Sequence, residues 1–294
     1  MIGAAVIAVP LILAPVQAVV SSRAVSEHLS GAQFLSDEKG HSTVYVQEGA
    51  SFAQRYSDSF IMSAEFSSTS DVRIARVPDG SYELRNGGRV IHHSEAALDG
   101  VDRSSDGKYI VYAEQATSSL SVAGSDLIVP YLPLIPNEWA VWTIDIESGA
   151  KVRIGTGLRP FFIDDTHLAR ITPVGVIVTD LQTGEERLTL AQTFPRVPFL
   201  PLVSPDRTLV GIANPSSTNV KIYRTLSDSA EEVAVLPAPD HAASYALGDD
   251  GLYSVRLSPS GSELWLQPTA AGLKESRVLT FPGWLRITRV LLSN

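Results

Sequence analysis

The hydrophobic positions divide the chain into an uninterrupted apolar beginning and a long region of short, alternating segments. Residues 1–22 carry no charged side chain, and the first charge is Arg23. About 20 helical residues cross a hydrocarbon core of roughly 30 Å, and Pro10 and Pro15 are better tolerated in a membrane span than in a soluble helix. The pattern predicts a transmembrane anchor over residues 1–22. The small residues of Val16-Gln-Ala18 leave a signal peptide as the alternative.

After a polar segment at 23–40, which we predict to be a linker, the periodicity becomes that of β-strands. Short alternating runs of Val, Ile, Tyr, Trp and Leu are separated by Asp-Gly, Ser-Gly, Thr-Gly and Pro-Asp turns. No long amphipathic helix is indicated after about residue 40. We therefore predict an all-β domain over residues 41–294.

The strand-and-turn units are repeated along this domain. Asp145-Ile-Glu-Ser-Gly149 and Asp180-Leu-Gln-Thr-Gly184 are the same element, each preceded by an apolar strand. A second unit, Ser104-Ser-Asp-Gly-Lys-Tyr-Ile-Val-Tyr112, recurs in diverged form as Ser204-Pro-Asp-Arg-Thr-Leu-Val-Gly-Ile212 and, more weakly, as Ser258-Pro-Ser-Gly261. A repeat of roughly 35 to 45 residues with about four strands is typical of a propeller blade.

The second unit resembles the Ser-Pro-Asp-Gly-Lys repeats of the TolB-like β-propellers, which are organised like WD repeats. Ser105 stands in place of the proline, and Arg207 stands in place of the glycine. The resemblance covers about residues 75–285 and implies a propeller of about five to six blades, closed or incomplete, with a β-sandwich as the alternative. Strand material at 43–46 and 285–292 would close the ring from the two termini, leaving no open sheet edge.

Apolar, proline-rich segments interrupt the repeats within 117–137, 194–203 and 281–284. Proline prevents them from forming helices or central strands. They either fold over the propeller face or dock a partner, since apolar and aromatic side chains suit both protein and membrane interfaces. For the docking case, the predicted partner-binding residues are Leu127, Ile128, Val129, Tyr131, Leu132, Leu134, Ile135, Phe194, Phe199, Leu200 and Trp284.

Composition narrows the classes of function. The chain has 294 residues, of which 44% are hydrophobic and 19% charged, and its net charge is −9. The hydrophobic content excludes intrinsic disorder. The absence of cysteine excludes disulfides, thiolate metal sites and a thiol nucleophile. The acidic balance gives no support for nucleic-acid binding.

We find no catalytic signature. The six histidines lack the spacing of helical metal motifs, and the adjacent His92 and His93 would point to opposite faces of a strand. Ser36-Asp-Glu-Lys39 lacks the companion motifs of a Ser-x-x-Lys enzyme, and neither a hydrolase elbow nor a nucleotide-binding loop is present. Three groups of acidic residues have the oxygen ligands for a cation but are also ordinary turn residues. They are Asp99, Asp102 and Asp106; Asp164 and Asp165; and Asp249 and Asp250.

These observations predict a non-catalytic, membrane-anchored extracytoplasmic propeller without a cofactor or metal. It would act as a scaffold or accessory subunit that binds and stabilises a larger membrane complex, for example an energy-transducing, photosynthetic or transport assembly. Its predicted partners are other membrane-protein subunits and the bilayer, through residues 1–22. Two alternatives stay open: a periplasmic ligand-binding sensor that uses the central channel, and a propeller enzyme with its site there.

Overall fold

The computed structural model describes residues 32–38, 40–48, 51–66, 71–116, 135–192, 202–213, 219–225, 229–237, 242–270, 272–281 and 285–289. A short 3-10 helix, Pro136–Glu138, interrupts a series of strands. In chain order the strands are β1 Gln33–Glu38, β2 His41–Glu48, β3 Ser51–Phe66, β4 Asp71–Arg76, β5 Tyr82–Asn86, β6 Arg89–Ser94, β7 Leu98–Arg103, β8 Tyr109–Gln115, β9 Trp139–Asp145, β10 Lys151–Thr156, β11 Leu158–Phe162, β12 His167–Thr172, β13 Gly175–Asp180, β14 Glu186–Ala191, β15 Leu202–Val203, β16 Leu209–Ala213, β17 Asn219–Thr225, β18 Ala230–Pro237, β19 Ala242–Leu247, β20 Gly251–Ser258, β21 Gly261–Pro268, β22 Ser276–Phe281 and β23 Arg286–Arg289.

The strands form five antiparallel sheets arranged as a β-propeller. The first sheet has the order β23-β1-β2-β3-β4-β5-β6, and the second has the order β10-β9-β8-β7. The third, fourth and fifth sheets are β11 to β14, β15 to β18 and β19 to β22, each in chain order. The all-β propeller predicted from the repeats is therefore confirmed.

The first sheet is larger than a blade because of one long strand. Residues 51–59 of β3 pair with β2, and residues 60–66 pair with β4. This sheet of seven strands therefore contains more than one four-stranded blade but less than two.

The two ends of the described chain meet in the first sheet. β23 pairs with β1, and β1 pairs with β2. β23 also lies against β19 of the fifth sheet. Closure of the ring by strands from both termini is confirmed, but the N-terminal strand that pairs with β23 is β1 and not the predicted segment 43–46, which lies in β2. The pairing removes a sheet edge that would otherwise be open.

The propeller begins earlier than the sequence pattern indicated. β1 lies inside the segment expected to be a linker at 23–40, because Phe34 and Leu35 are each only 1% exposed and fill the core of the first sheet. The anchor predicted at 1–22 lies outside the described residues. In the ranges that are described, we find no helix with the length and apolar composition needed to cross a bilayer.

The core lies between neighbouring sheets. Its largest cluster joins the second, third and fourth sheets through side chains such as Val141, Phe161, Phe162 and Val210. Burying a side chain of this size contributes about 1.5–3 kcal/mol to folding. The interleaved aliphatic and aromatic residues of the repeat thus hold the sheets face to face.

The repeated Asp-x-x-x-Gly units form the same turn in the second and third sheets. The Asp145 carboxylate accepts a hydrogen bond from the Ser148 amide at 2.7 Å, and the Asp180 carboxylate accepts one from the Thr183 amide at 3.0 Å. Gly149 and Gly184 have φ of 72° and 74°, a conformation that glycine adopts without strain. The sequence repeat is therefore a structural repeat.

Antiparallel order gives the propeller two distinct ends. The turns at 104–108, 163–166, 204–208 and 248–250 each follow the innermost strand of a sheet, and side chains from these turns contact one another. We call this end the turn face. Since the strands alternate in direction, β8, β14 and β22 all end at the opposite end.

Candidate functional site

Most of the predicted docking residues lie outside the described residues. Ile135 is described; it is half-buried and directly precedes the buried Pro136. The remaining predicted residues, at 127–134, 194–200 and 284, stay a prediction.

The strands that flank these segments are described, and they share one location. The segments follow β8, β14 and β22 in the chain, so all three depart from the end opposite the turn face. For the longest segment the two flanks are joined directly, because the Ala116 amide donates to the Glu138 carbonyl at 2.7 Å. The chain therefore leaves and re-enters the sheet at one point.

Two of the turns at the turn face are copies of the Ser-x-Asp unit. In the second sheet, the Ser104 hydroxyl donates to Asp106 at 2.7 Å and accepts from the Tyr109 amide at 2.9 Å. In the fourth sheet, the Ser204 hydroxyl donates to Asp206 at 2.5 Å and accepts from the Leu209 amide at 2.9 Å. Each serine thus joins both sides of its turn, which explains its position in the sequence repeat.

The aspartates of these turns are stabilised in their charged form. Hydrogen bonds from the Lys108 amide, the Lys108 ammonium and Ser104 lower the pKa of Asp106 to about 2. Burial acts to raise the pKa of Asp206, but hydrogen bonds from Ser204 and Thr208 outweigh it and lower that pKa.

Arg207 takes the place of the turn glycine and connects three sheets. Its φ is 64°, in the left-handed region that glycine favours. Its Nη1 donates to Asp102 at 2.7 Å and to the Phe162 carbonyl at 2.8 Å. Its Nη2 donates to Asp102 at 3.1 Å and to the Arg103 carbonyl at 2.6 Å. The Arg207 side chain of the fourth sheet thereby joins the inner strands of the second and third sheets.

Arg159 is the second left-handed residue that is not glycine within the described ranges, with φ of 48°. Its Nε donates to Asp99 at 2.9 Å, and its side chain is only 9% exposed. Gly100 makes room for it, because a Cβ at Gly100 would lie 2.6 Å from the Arg159 Cα. Both strained arginines therefore bind an aspartate of β7.

Two contacts between neighbouring turns complete the turn face. Asp165 of the third sheet accepts from the Ser105 hydroxyl at 2.6 Å and from the Asp106 amide at 2.8 Å. Asp249 of the fifth sheet accepts from the Asp206 amide and shares a hydrogen bond with the Asp206 carboxyl. Burial, followed by repulsion from Asp206, raises the pKa of Asp249 to about 6.

The acidic groups thus serve as turn caps and ion-pair partners. Asp99 and Asp102 face arginines, while Asp106 and Asp164 cap turns. Among the described residues, no three or more His, Asp and Glu side chains are grouped so that they would hold a metal ion. The turn role considered for these aspartates applies to Asp106 and Asp164, whereas Asp99 and Asp102 lie in β7 and pair with arginines.

His92 and His93 have different surroundings, as their adjacency in a strand predicted. The His92 Nε2 lies 3.2 Å from Glu114, whereas the His93 side chain is 53% exposed. The hydrogen bond with His92 is the largest of several interactions that lower the pKa of Glu114 to about 2. Lys151 also binds Glu114, at 3.0 Å, and lies over the Trp142 ring at 4.2 Å.

Sequence reasoning did not identify the two arginines as site residues. The signal for Arg207 was present, because it replaces a glycine in the repeat and such a position requires a positive φ. Arg159 gave no comparable signal, since β11 belongs to no recognised copy of the unit.

No family model matches this sequence, and no curated protein does either. Solved structures share its fold. TolB from Acinetobacter baumannii superposes with a TM-score of 0.59 at 14% identity, covering 88% of this chain and 66% of that one. An oligogalacturonate lyase in complex with manganese gives 0.51 at 13% identity, covering 91% and 85%, and the enzyme of the same name from Vibrio parahaemolyticus gives 0.50 at 12%, covering 91% and 80%.

At these identities the likeness shows the fold alone. The chain is a β-propeller of TolB-like architecture, and this architecture occurs in TolB as well as in lyases. The fold therefore does not separate a binding protein from an enzyme.

Proposed function

We propose that this protein is a membrane-anchored extracytoplasmic scaffold whose propeller binds other subunits of a membrane complex. The observation that carries the proposal is the difference between its two ends. The apolar, proline-rich stretches lie within 117–134, 193–201 and 282–284, which follow strands that all end at one end of the propeller, whereas the turn face carries mainly carboxylates. Those carboxylates include Asp106, Asp145, Asp164, Asp180, Asp206, Asp249 and Asp250.

Such a polarity favours one orientation. Apolar and aromatic side chains gain free energy by leaving water at a protein or lipid interface, whereas carboxylates lose hydration there. The end with the apolar segments would face the partner subunits and the bilayer, and the turn face would remain in solvent. An anchor at residues 1–22 would keep the propeller within reach of that surface.

Site-specific photo-crosslinking in membranes tests this orientation. A photoreactive amino acid at Leu132 or Phe199 of the full chain is expected to crosslink to integral membrane proteins. The matched controls are Ser148 and Gln182, which lie in exposed turns at the turn face. Equal crosslinking from both ends, or crosslinking from the controls alone, would overturn the proposal.

A second experiment tests the stoichiometry. Purification of the full chain in mild detergent is expected to recover membrane subunits in constant ratio. Charged substitutions in one apolar segment, such as Leu132→Asp together with Leu134→Asp, are expected to release them without unfolding the propeller. If the chain is a fully soluble monomer after removal of residues 1–22, and no membrane subunit is recovered with the full chain, the scaffold proposal is overturned.

The ligand-binding alternative is favoured by one specific observation, the incompletely paired guanidinium of Arg159.

A further inference from the structure

Arg159 and Arg207 share a strained backbone conformation but differ in how fully their guanidinium groups are used. A guanidinium offers five N–H donors. The terminal nitrogens of Arg207 make four hydrogen bonds, to Asp102, Phe162 and Arg103. Arg159 uses only its Nε, on Asp99. Its Nη1 and Nη2 have no hydrogen-bond partner among the described residues.

These unpaired nitrogens are nearly enclosed. The Arg159 side chain is 9% exposed, and that of Asp99 is 18% exposed. The two nitrogens do not belong to the fully buried polar atoms that lack a partner in the described chain, so each still touches open space. A charged group in such a position loses much of its hydration and gains little in return unless a ligand supplies acceptors.

The surrounding backbone holds Arg159 in this position at a cost. A left-handed conformation is strained for a residue with a side chain, and strain of this kind is concentrated at ligand-binding and active sites. Gly100, with φ of 59°, is the neighbour that admits Arg159. β7 and β11 are the innermost strands of their sheets and lie against each other, which places the pair beside the propeller axis.

We propose that Nη1 and Nη2 of Arg159 form a binding site for the carboxylate group of a small molecule at the inner strands of the second and third sheets. The two terminal nitrogens of a guanidinium match the two oxygens of a carboxylate in a bidentate arrangement. Asp99 carries a negative charge beside the guanidinium of Arg159. A singly charged carboxylate is repelled less by Asp99 than a doubly charged phosphate and therefore suits the site better.

Acetate is the probe for this site. Thermal unfolding of the full chain, followed by tryptophan fluorescence, is measured with increasing sodium acetate at constant ionic strength maintained with sodium chloride. A ligand that binds only the folded state raises the midpoint in a saturable way. We expect such a rise with acetate and a smaller one with inorganic phosphate at pH 8. No saturable rise with acetate, or a larger one with phosphate, would overturn the proposal.

Substitutions separate the site from general salt effects. Arg159→Gly suits a φ of 48° and keeps the backbone, and we expect acetate affinity to fall at least about tenfold because two charge-assisted hydrogen bonds are lost. Arg159→Lys retains the charge without the two-pronged geometry and should also weaken binding about tenfold. Equal acetate responses in the unaltered chain and either variant would contradict a guanidinium site.

The substitution Asp99→Asn should change acetate affinity in a direction that a purely structural role of Arg159 would not produce. Removing the charge beside Arg159 is expected to tighten acetate binding about fivefold. Arg207→Gly is the matched control, because its guanidinium is already paired: it should lower the midpoint but leave the acetate affinity unchanged. Weaker acetate binding in Asp99→Asn, or its loss in Arg207→Gly, would argue against the assignment.

Discussion

Two contacts on the turn face have the same layout but different chemistry. Between the second and third sheets, Asp165 accepts from the Asp106 amide and from the hydroxyl of Ser105. Between the fourth and fifth sheets, Asp249 accepts from the Asp206 amide and meets the Asp206 carboxyl. Pro205 takes the position of Ser105, so no hydroxyl is present there. The first contact joins a donor to an acceptor, whereas the second joins two acids.

The neighbouring turn position differs as well. The second sheet has Gly107, with φ of 75°, and the fourth sheet has Arg207 in nearly the same conformation. The fourth-sheet turn therefore combines the repulsive acid pair of Asp206 and Asp249 with the hydrogen bonds of Arg207 to the second and third sheets, which we call the clamp. One repeat unit thus provides a simple turn in one sheet and a central connection in another.

The largest expected effect is on the clamp. Arg207→Gly relieves the backbone strain but leaves the Asp102 carboxylate, 12% exposed, without its cation. Breaking a buried ion pair by removing one partner costs about 3–5 kcal/mol. Because relief of the strain returns about 1–2 kcal/mol, we expect a net decrease of about 2–3 kcal/mol in the free energy of unfolding, measured by urea denaturation. A change below about 1 kcal/mol would show that the clamp contributes little beyond an exposed pair.

Ser105→Ala removes the donor from the contact between the second and third sheets. The loss of one hydrogen bond to a charged acceptor should lower the free energy of unfolding by about 1–2 kcal/mol. The difference from the unaltered chain should be constant between pH 5 and pH 8, since a hydroxyl does not titrate there. A difference that vanishes at one end of this range would mean that the contact is not a simple donor–acceptor bond.

Asp249→Asn changes the acid pair. The pKa of Asp249 lies above its ordinary value of 3.8, at about 6. The folded state thus retains a proton that the unfolded chain has lost, and the associated stability is present below about pH 4 and is lost as the pH rises through about 6. The amide can donate to Asp206 at any pH. We expect the variant to be more stable at pH 7 by up to about 1 kcal/mol, as for solvent-screened charge pairs.

The dependence of stability on pH distinguishes the effect of the Asp249–Asp206 acid pair from a general effect of the substitution on stability. The stability difference between Asp249→Asn and the unaltered chain should grow from pH 4 to pH 7, as measured by urea denaturation at each pH. A difference that does not depend on pH, or a variant less stable at pH 7, would contradict the shared hydrogen bond.

The smallest effect is expected from Pro205→Ser, which brings the serine of the second-sheet turn into the fourth sheet. An added hydroxyl can donate to Asp249 and stabilise its charged form. The midpoint of the Asp249 titration, followed by carboxyl carbon NMR, should fall below about 6, while stability changes by only a few tenths of a kcal/mol. An unchanged midpoint would mean that the two turns are less alike than their backbones indicate.

The repeats allowed much of this architecture to be predicted because the hydrogen bonds that form each turn lie within one short sequence unit. Ser104 and Ser204 close their turns through nearby backbone groups, and Asp145 and Asp180 cap theirs within three residues. The ring closure was predicted in part: a C-terminal strand does close the ring, but it pairs with β1 and not with the segment 43–46. The start of β1 was not, because Phe34 and Leu35 are isolated in a polar stretch and only the core shows that they are buried.

The candidate sites depended more on contacts between distant residues. Asp99 and Asp102 looked like potential cation ligands until β11 and the fourth-sheet turn brought Arg159 and Arg207 to them. The predicted docking residues, apart from Ile135, lie outside the described residues, and their role stays a proposal.

Features that arise from short-range order could be derived from the residues alone: the strand periodicity, the Ser-x-Asp and Asp-x-x-x-Gly turns, and hence the all-β repeat architecture. Side-chain oxygens reach backbone amides two to five residues away, so these features can be read in order along the chain. Which acid pairs with which base depends instead on the packing of the sheets. Asp102 and Arg207 are far apart in sequence, and no local pattern can specify that their sheets meet at one axis. The same packing determines that one arginine uses all its terminal nitrogens and the other does not.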